Sequence, residues 1–260
     1  ESGSYCHQVK IAHRLRGYCV PDINQTLARK QVLYAELMKA SLLLFPSDYF
    51  RELGIANGLP ARRCRTNKNG VLPPGKDYRR TGRPALRFGF VGGPGPNKGS
   101  KQILEAFRAI ERTDYELVIV DAAQNVGRTW RHEIDWSVPG ELRFHPGYSV
   151  KNIDEFFASI DVLLFPSLWK ESFGLTVREA LIRDVWVVAS DAGGIAEDCV
   201  DGVNATLIPM STNPARLMHA LKQILENPIA LEYENPKKKE IVTSDEQARE
   251  LSEMLNELLS

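Results

Sequence analysis

Two glutamates eight positions apart, Glu171 and Glu179, stand in the stretch "WKESFGLTVREA" with Gly174 between them, and Lys98 followed by Gly99 closes an earlier stretch, "VGGPGPNKGS". Carboxylates accept hydrogen bonds from sugar hydroxyls. A lysine at a helix start suits a diphosphate, because its charge adds to that of the helix terminus. The glycine-rich turn invites a nucleotide-loop reading that its spacing does not support. A phosphate loop needs glycine before the lysine and a hydroxyl after it, whereas Asn97 precedes Lys98 and Gly99 follows it. A dinucleotide fingerprint needs a third glycine where Lys98 stands, and Pro94 and Pro96 remove amide donors. Glu171 falls in a turn and Glu179 inside a helix, so the two need not share a helical face. On the residues alone two readings stay open. The acids contact two parts of one ligand, with the amides of Ser172 to Leu175 receiving an anion between them, or both are solvated surface acids. Gly193 and Gly194, in "SDAGGIAEDCVDG", make a third turn whose backbone a ligand can approach closely.

These turns are positioned by six apolar runs: "LRFGFV" (86–91), "YELVIV" (115–120), "ELRFH" (141–145), "DVLLFP" (161–166), "VWVVAS" (185–190) and "ATLIP" (205–209). Near-continuous apolar strands separated by amphipathic helices predict an α/β fold with a doubly wound parallel sheet, Rossmann-like, in which ligands bind at the carboxyl ends of the strands. Helical stripes run through Ile103, Phe107 and Ile110, through Ile153, Phe156, Phe157 and Ile160, and through Leu217, Leu221, Ile224 and Leu225. Asn213 followed by Pro214 reads as a helix start. A last helix is expected from Ser244, with Gln247 completing a capping box and Ala248, Leu251, Leu255, Leu258 and Leu259 buried. Before residue 84 come a helical stretch from about Asn24 to Lys39, then "SLLLFPSDYF", then a loop rich in Arg, Asn, Gly and Pro. The pentapeptide "LLFPS" occurs at 43–47 and again at 163–167, which hints at two related α/β halves joined by "NGVLPPG" (69–75).

Composition bounds the function classes. With 260 residues and 43% hydrophobic content the chain can build a core, and 33 basic against 33 acidic residues leave no global field to recruit nucleic acid. The basic run "RRCRTNK" (62–68) reads as a solvated loop. Cys6, Cys19, Cys64 and Cys199 contain no C-x-x-C pair, and His7 and His13 beside the first two match no metal motif, so no metal is expected and reduced thiols fit a cytoplasmic protein. No apolar run approaches the ~18 residues of a membrane span. The chain starts at Glu1 within a polar segment and reads as a fragment.

From "FVGG" and "NKGSKQILEAF" through "ELRFHPG" and "IDEFFASIDVLLFPSLWKESFGLTVREAL" to "VVASDAGGIAEDCVDGVNATLI", residues 86–209 resemble the retaining, nucleotide-sugar-dependent glycosyltransferases of the GT-B fold, family 4 (group 1). The resemblance implies roles for the open residues. Glu171 would lie by the donor sugar. The amides of Phe173, Gly174 and Leu175, with Ser172 and Thr176 beside them, would hold the sugar and β-phosphate. Glu179 would bind the ribose, and Lys98, with Gly92 and Gly93, would face the diphosphate. Gly147 and Tyr148 are candidates for the base. The partners implied are a UDP- or GDP-sugar and a glycan, lipid-linked or small-molecule acceptor, with no cofactor and, in the absence of any D-x-D, no metal. Residues 1–75 would be the tail of an acceptor-side domain whose other half is missing, 76–227 the donor domain, and 228–260 a helical segment returning to the first half. The family often carries Gly-Arg where this chain has Gly92-Gly93, so Lys101 or Arg178 would have to supply that cation. Ala205 also stands where a glycine is usual. The alternatives are an inactive nucleotide-sugar-binding module and another GT-B enzyme such as an epimerase. A phosphorylase would need a pyridoxal phosphate lysine, for which no position is apparent. A cytoplasmic enzyme of this kind can also work peripherally at the inner membrane face, although no basic amphipathic helix argues for it.

Overall fold

The computed structural model describes residues 23–82, 84–229 and 232–259. Contacts divide the chain into two compact units, one made of the segments up to Gly70 and from Ser244 onward, the other of Val71–Thr243.

In the smaller unit, α1 (Ile23–Leu37) precedes β1 (Leu43–Phe45), α2 (Asp48–Ala56) and β2 (Cys64–Thr66). The two short strands pair in parallel, Leu43 opposite Cys64 and Phe45 opposite Thr66. Leu43, Phe45 and Cys64 are the buried side chains of this pair. Strand β2 corrects the reading of the basic run as a loop. Three residues with one inward thiol show no legible alternation, and the half-buried Arg63 just before them donates to the Met38 and Ala40 carbonyls.

The larger unit carries β3 (Leu86–Phe90), α3 (Ser100–Arg108), β4 (Tyr115–Asp121), β5 (Glu141–Pro146), α4 (Ile153–Ala158), β6 (Val162–Phe165), α5 (Leu175–Leu181), β7 (Trp186–Ser190), β8 (Ala205–Ile208) and α6 (Ala215–Glu226). All six of its strands are parallel, in the order β5-β4-β3-β6-β7-β8, so the winding reverses between β3 and β6. Successive side chains point to opposite faces of a strand, and the core divides accordingly. Phe88, Phe90, Leu117, Ile119, Val162 and Leu164 pack under α3 and α6 with Ile103, Phe107, Leu217 and Leu221. On the other face Val118, Val120, Leu163 and Phe165 meet Phe156, Phe157, Val177 and Leu181 of α4 and α5. The three expected helical stripes are therefore core, and Asn213 Oδ1 accepts the Ala215 N–H at the start of α6 at 2.9 Å. At the amino ends of the strands, Arg87 Nε and Nη2 grip the two Asp161 oxygens at 2.9 and 2.8 Å. That buried bidentate pair fixes β3 to β6, at the end of the strands opposite the loops described next.

The last helix, α7 (Ser244–Leu259), forms where expected but buries no residue. Leu255 and Leu258 are each 47% exposed and Leu259 is 87% exposed, which corrects the buried stripe. Periodicity marks the apolar face of a helix, but burial also needs a surface to cover it. Gln247 accepts the Gly70 N–H at 2.7 Å and donates to Asn67 at 3.4 Å, so its side chain ties two parts of the smaller unit together.

Candidate functional site

Strands that reverse their winding leave a crevice at their carboxyl ends, because the loops after the two middle strands leave toward opposite faces. Here those loops follow β3 and β6. Gly99 lets them touch. Its φ is +81°, and a Cβ placed on it would lie 2.2 Å from the Pro166 carbonyl oxygen, so only glycine fits this approach. The Leu168 N–H then donates to the Asn97 carbonyl at 2.8 Å. Across this seam Lys98 Nζ donates to Glu171 Oε1 at 2.7 Å, and the Ser167 hydroxyl donates to the same oxygen at 2.8 Å. The Lys98 and Glu171 side chains are 33% and 14% exposed, shielded but reachable. The loop after β7 joins them: the Glu171 N–H donates to the Ala192 carbonyl at 3.0 Å, and the Gly194 N–H donates to the Glu171 carbonyl at 2.9 Å.

A second pair lies where α5 meets the loop after β5. The Tyr148 hydroxyl donates to Glu179 Oε2 at 2.7 Å, and its ring stacks on Phe156 with centroids 4.7 Å apart. Burial raises the Glu179 pKa, opposed by that hydrogen bond. Burial and the adjoining Glu179 charge push the Tyr148 phenol well up, so it stays a donor. Gly147 sits against Asn125, whose amide donates to its carbonyl at 2.9 Å. Gly174, with φ +87°, turns the chain into α5. The first amides of a helix have no partner four residues back; in α5 the Val177 N–H donates to the Gly174 carbonyl at 3.1 Å. Phe173 is buried, Ser172 and Leu175 are exposed, and Thr176 is half-buried. A side chain on Gly92 would strike the Phe90 ring and Lys98, whereas Gly93, with φ +67°, faces open space.

The structure thus joins Lys98 to Glu171 and Tyr148 to Glu179. It removes Arg178 as the replacement cation. That side chain is 1% exposed. Its guanidinium binds Asp198 and the Phe173 and Gly194 carbonyls, and it lies 4.1 Å over the Phe173 ring. A buried guanidinium with these partners ties the two glycine loops together and is closed to a ligand. Lys101 is exposed and pairs with Glu105 one helical turn on, at 3.6 Å. Sequence reading passed over Ser167 and Asn125. The repeated "LLFPS" was the one signal that pointed at Ser167. Cys6, His7, His13 and Cys19 lie outside the described residues. Among the described residues no helix is long and apolar enough to cross a membrane.

A family model described as glycosyl transferases group 1 matches residues 83–258, well over half the chain. The chain belongs to the glycosyl transferases group 1 family. Within it, the lipopolysaccharide 1,2-N-acetylglucosaminetransferase of Salmonella typhimurium is 25% identical over a match covering 48% of this chain and 35% of that protein. A sucrose-phosphate synthase from Thermosynechococcus elongatus superposes with a TM-score of 0.75 at 17% identity, covering 97% of this chain and 66% of that one. The Anabaena protein HepE, solved in complex with UDP and glucose, superposes with a TM-score of 0.69 at 18% identity, covering 84% and 64%. At these identities the two structures establish the fold, which is the Rossmann-like arrangement of GT-B glycosyltransferases. This group 1 chain spans about a third of the length of the Salmonella relative.

Proposed function

We propose that this chain is the donor-binding portion of a retaining family 4 glycosyltransferase that moves a sugar from a UDP- or GDP-sugar to a glycan, lipid-linked or small-molecule acceptor without a metal. The observation that carries the reading is the convergence of Lys98 and Glu171 at the point where the sheet reverses its winding. An ammonium has three donors, so Lys98 can hold Glu171 with one and receive a diphosphate with the others. As the sugar–phosphate bond breaks, negative charge grows on the diphosphate and positive charge on the sugar ring. Lys98 and the first amides of α5 stabilise the former, and Glu171 orients the latter. Glu179, held by Tyr148, accepts from the ribose hydroxyls. The Tyr148 ring is stacked on Phe156, so its part is to hold Glu179 as much as to line the base. UDP in the Anabaena complex favours trying uridine nucleotides first.

The test is calorimetric titration of UDP, GDP and UDP-glucose into the chain. A nucleotide binds, and Glu179→Ala weakens it about tenfold or more, the value of a hydrogen bond to a charged group. No nucleotide binding, or an unchanged affinity in that variant, removes the donor-site reading. A second reading, a binding module without turnover, is favoured by Gly93, where the resembling family often carries arginine. The full-length transferase, assayed with Glu171→Ala as its control, separates the two.

A further inference from the structure

Ser167 follows the end of β6 and is fully buried. Its N–H donates to the Phe165 carbonyl at 2.9 Å, and its hydroxyl oxygen accepts the Trp169 N–H at 3.2 Å. A serine hydroxyl has one proton to give. Three acceptors surround it: Asn97 O at 3.3 Å, Trp169 O at 3.1 Å and Glu171 Oε1 at 2.8 Å. The carboxylate is both the nearest and the charged one, hence the strongest acceptor of the three.

The chain contains its own control for this serine. The first "LLFPS" ends at Ser47, whose hydroxyl caps α2 by accepting the Phe50 N–H at 3.1 Å. After β6 no helix starts until Leu175. The second serine caps no helix: its oxygen accepts the Trp169 N–H from the following loop, and its proton lies nearest Glu171 Oε1.

We propose that Ser167 is a positioning residue for the donor sugar. It holds Oε1 of Glu171 from behind, so that Oε2 meets a sugar hydroxyl, and it keeps that orientation when the Lys98 ammonium turns toward the diphosphate. The proposal rests on the donor-site reading above. Lys98 cannot do this alone, because an ammonium on a flexible stem is a point charge for which phosphate oxygens compete. Ser167 is carried on backbone locked by the approach of Gly99 to Pro166, so its hydroxyl stays in place when the ligand arrives. The residue therefore acts on the sugar half of the donor and leaves the nucleotide half alone.

The experiment uses the 260-residue chain and measures, by calorimetry, UDP against UDP-glucose and UDP-N-acetylglucosamine, and GDP against GDP-mannose. The sugar nucleotide bound tightest by the unmodified chain is then compared with its bare nucleotide in Ser167→Ala and Ser167→Cys. Ser167→Ala is expected to keep the nucleotide affinity within about twofold and to weaken the sugar nucleotide about tenfold, as loss of a hydrogen bond to a charged group does. Ser167→Cys, of similar size but a weak donor, falls between, and it supplies the ratio if the alanine variant does not fold. Ser47→Ala lowers the melting temperature and leaves the ratio unchanged. An unchanged ratio at Ser167, or equal loss of both ligands, overturns the proposal by showing either no role or a merely structural one. Failure of every nucleotide to bind the unmodified chain is a different result, and it removes the donor-site reading itself.

Discussion

Glu179 is the titrating group of the site. Its carboxyl pKa is raised above the ordinary 4.5, first by burial, with the Tyr148 hydrogen bond and Arg183 acting in the opposite sense. The sign follows from linkage. A folded pKa above the unfolded one makes the protonated form a source of stability. That stability is fully present below the unfolded value and is lost as pH rises through the folded value. Glu179→Gln, which keeps an acceptor for Tyr148 but has no charge to desolvate, is expected to melt at a higher temperature than the unmodified chain near pH 7. The difference should close as pH falls to about 4, within the range set by the ordinary carboxyl value. Melting curves at both pH values check this, and a gap that persists at low pH would show that something other than ionisation distinguishes the variant.

At the scale of elements, the site depends on how closely two loops approach. The turn after β3 touches the turn after β6 through Gly99, with Pro166 where a Cβ would go. Gly99→Ala must both adopt a left-handed backbone, which costs a residue with a Cβ about 1–2 kcal/mol, and push the Pro166 carbonyl aside. We expect a loss of about 2 kcal/mol or more in urea unfolding, together with weaker nucleotide binding, because Lys98, next to Gly99, is displaced from its place beside Glu171. Gly93→Ala is the contrast within the same turn. It carries a similar backbone cost at φ +67° but meets nothing within 4 Å. If the two variants lose equal stability and equal binding, the close approach is not what assembles the site.

At the scale of the whole molecule, two buried thiols report on two compact units. Cys64 belongs to the smaller unit, whose buried set around β1 and β2 is small, and Cys199 to the larger unit, inside an extended apolar layer. Burial raises the Cys64 thiol and pushes that of Cys199 up to about 12, so neither supplies a reactive thiolate while folded. Pulsed maleimide labelling across a urea series, read by peptide mass, should label Cys64 at lower urea than Cys199, because a smaller core supports less stability. Coincident midpoints would mean that the two units unfold as one. The doubly wound sheet itself was legible in the chain. All six apolar runs are strands: the four inner ones are covered on both faces and read as apolar runs, while the edge strand β5, with Glu141, Arg143 and His145, is only partly buried. Strand β2 was not legible, because three residues carry no period. The exposed face of α7 was misjudged, because a stripe is visible in sequence and its covering is not.

Local chemistry along the chain determined the strand and helix periods, the glycine turns at the carboxyl ends of the strands, and the acid pair in "WKESFGLTVREA" that carries the family resemblance. Only the tertiary structure decided which of those groups meet. Lys98 and Glu171 are 73 positions apart, and Tyr148 and Glu179 are 31 apart. Arg178, beside Glu179 in sequence, is turned inward to hold two loops. Spacing along one strand or helix is set by local geometry. Which loops converge is set by strand order, and a change of winding direction between β3 and β6 exists only once the whole sheet is assembled.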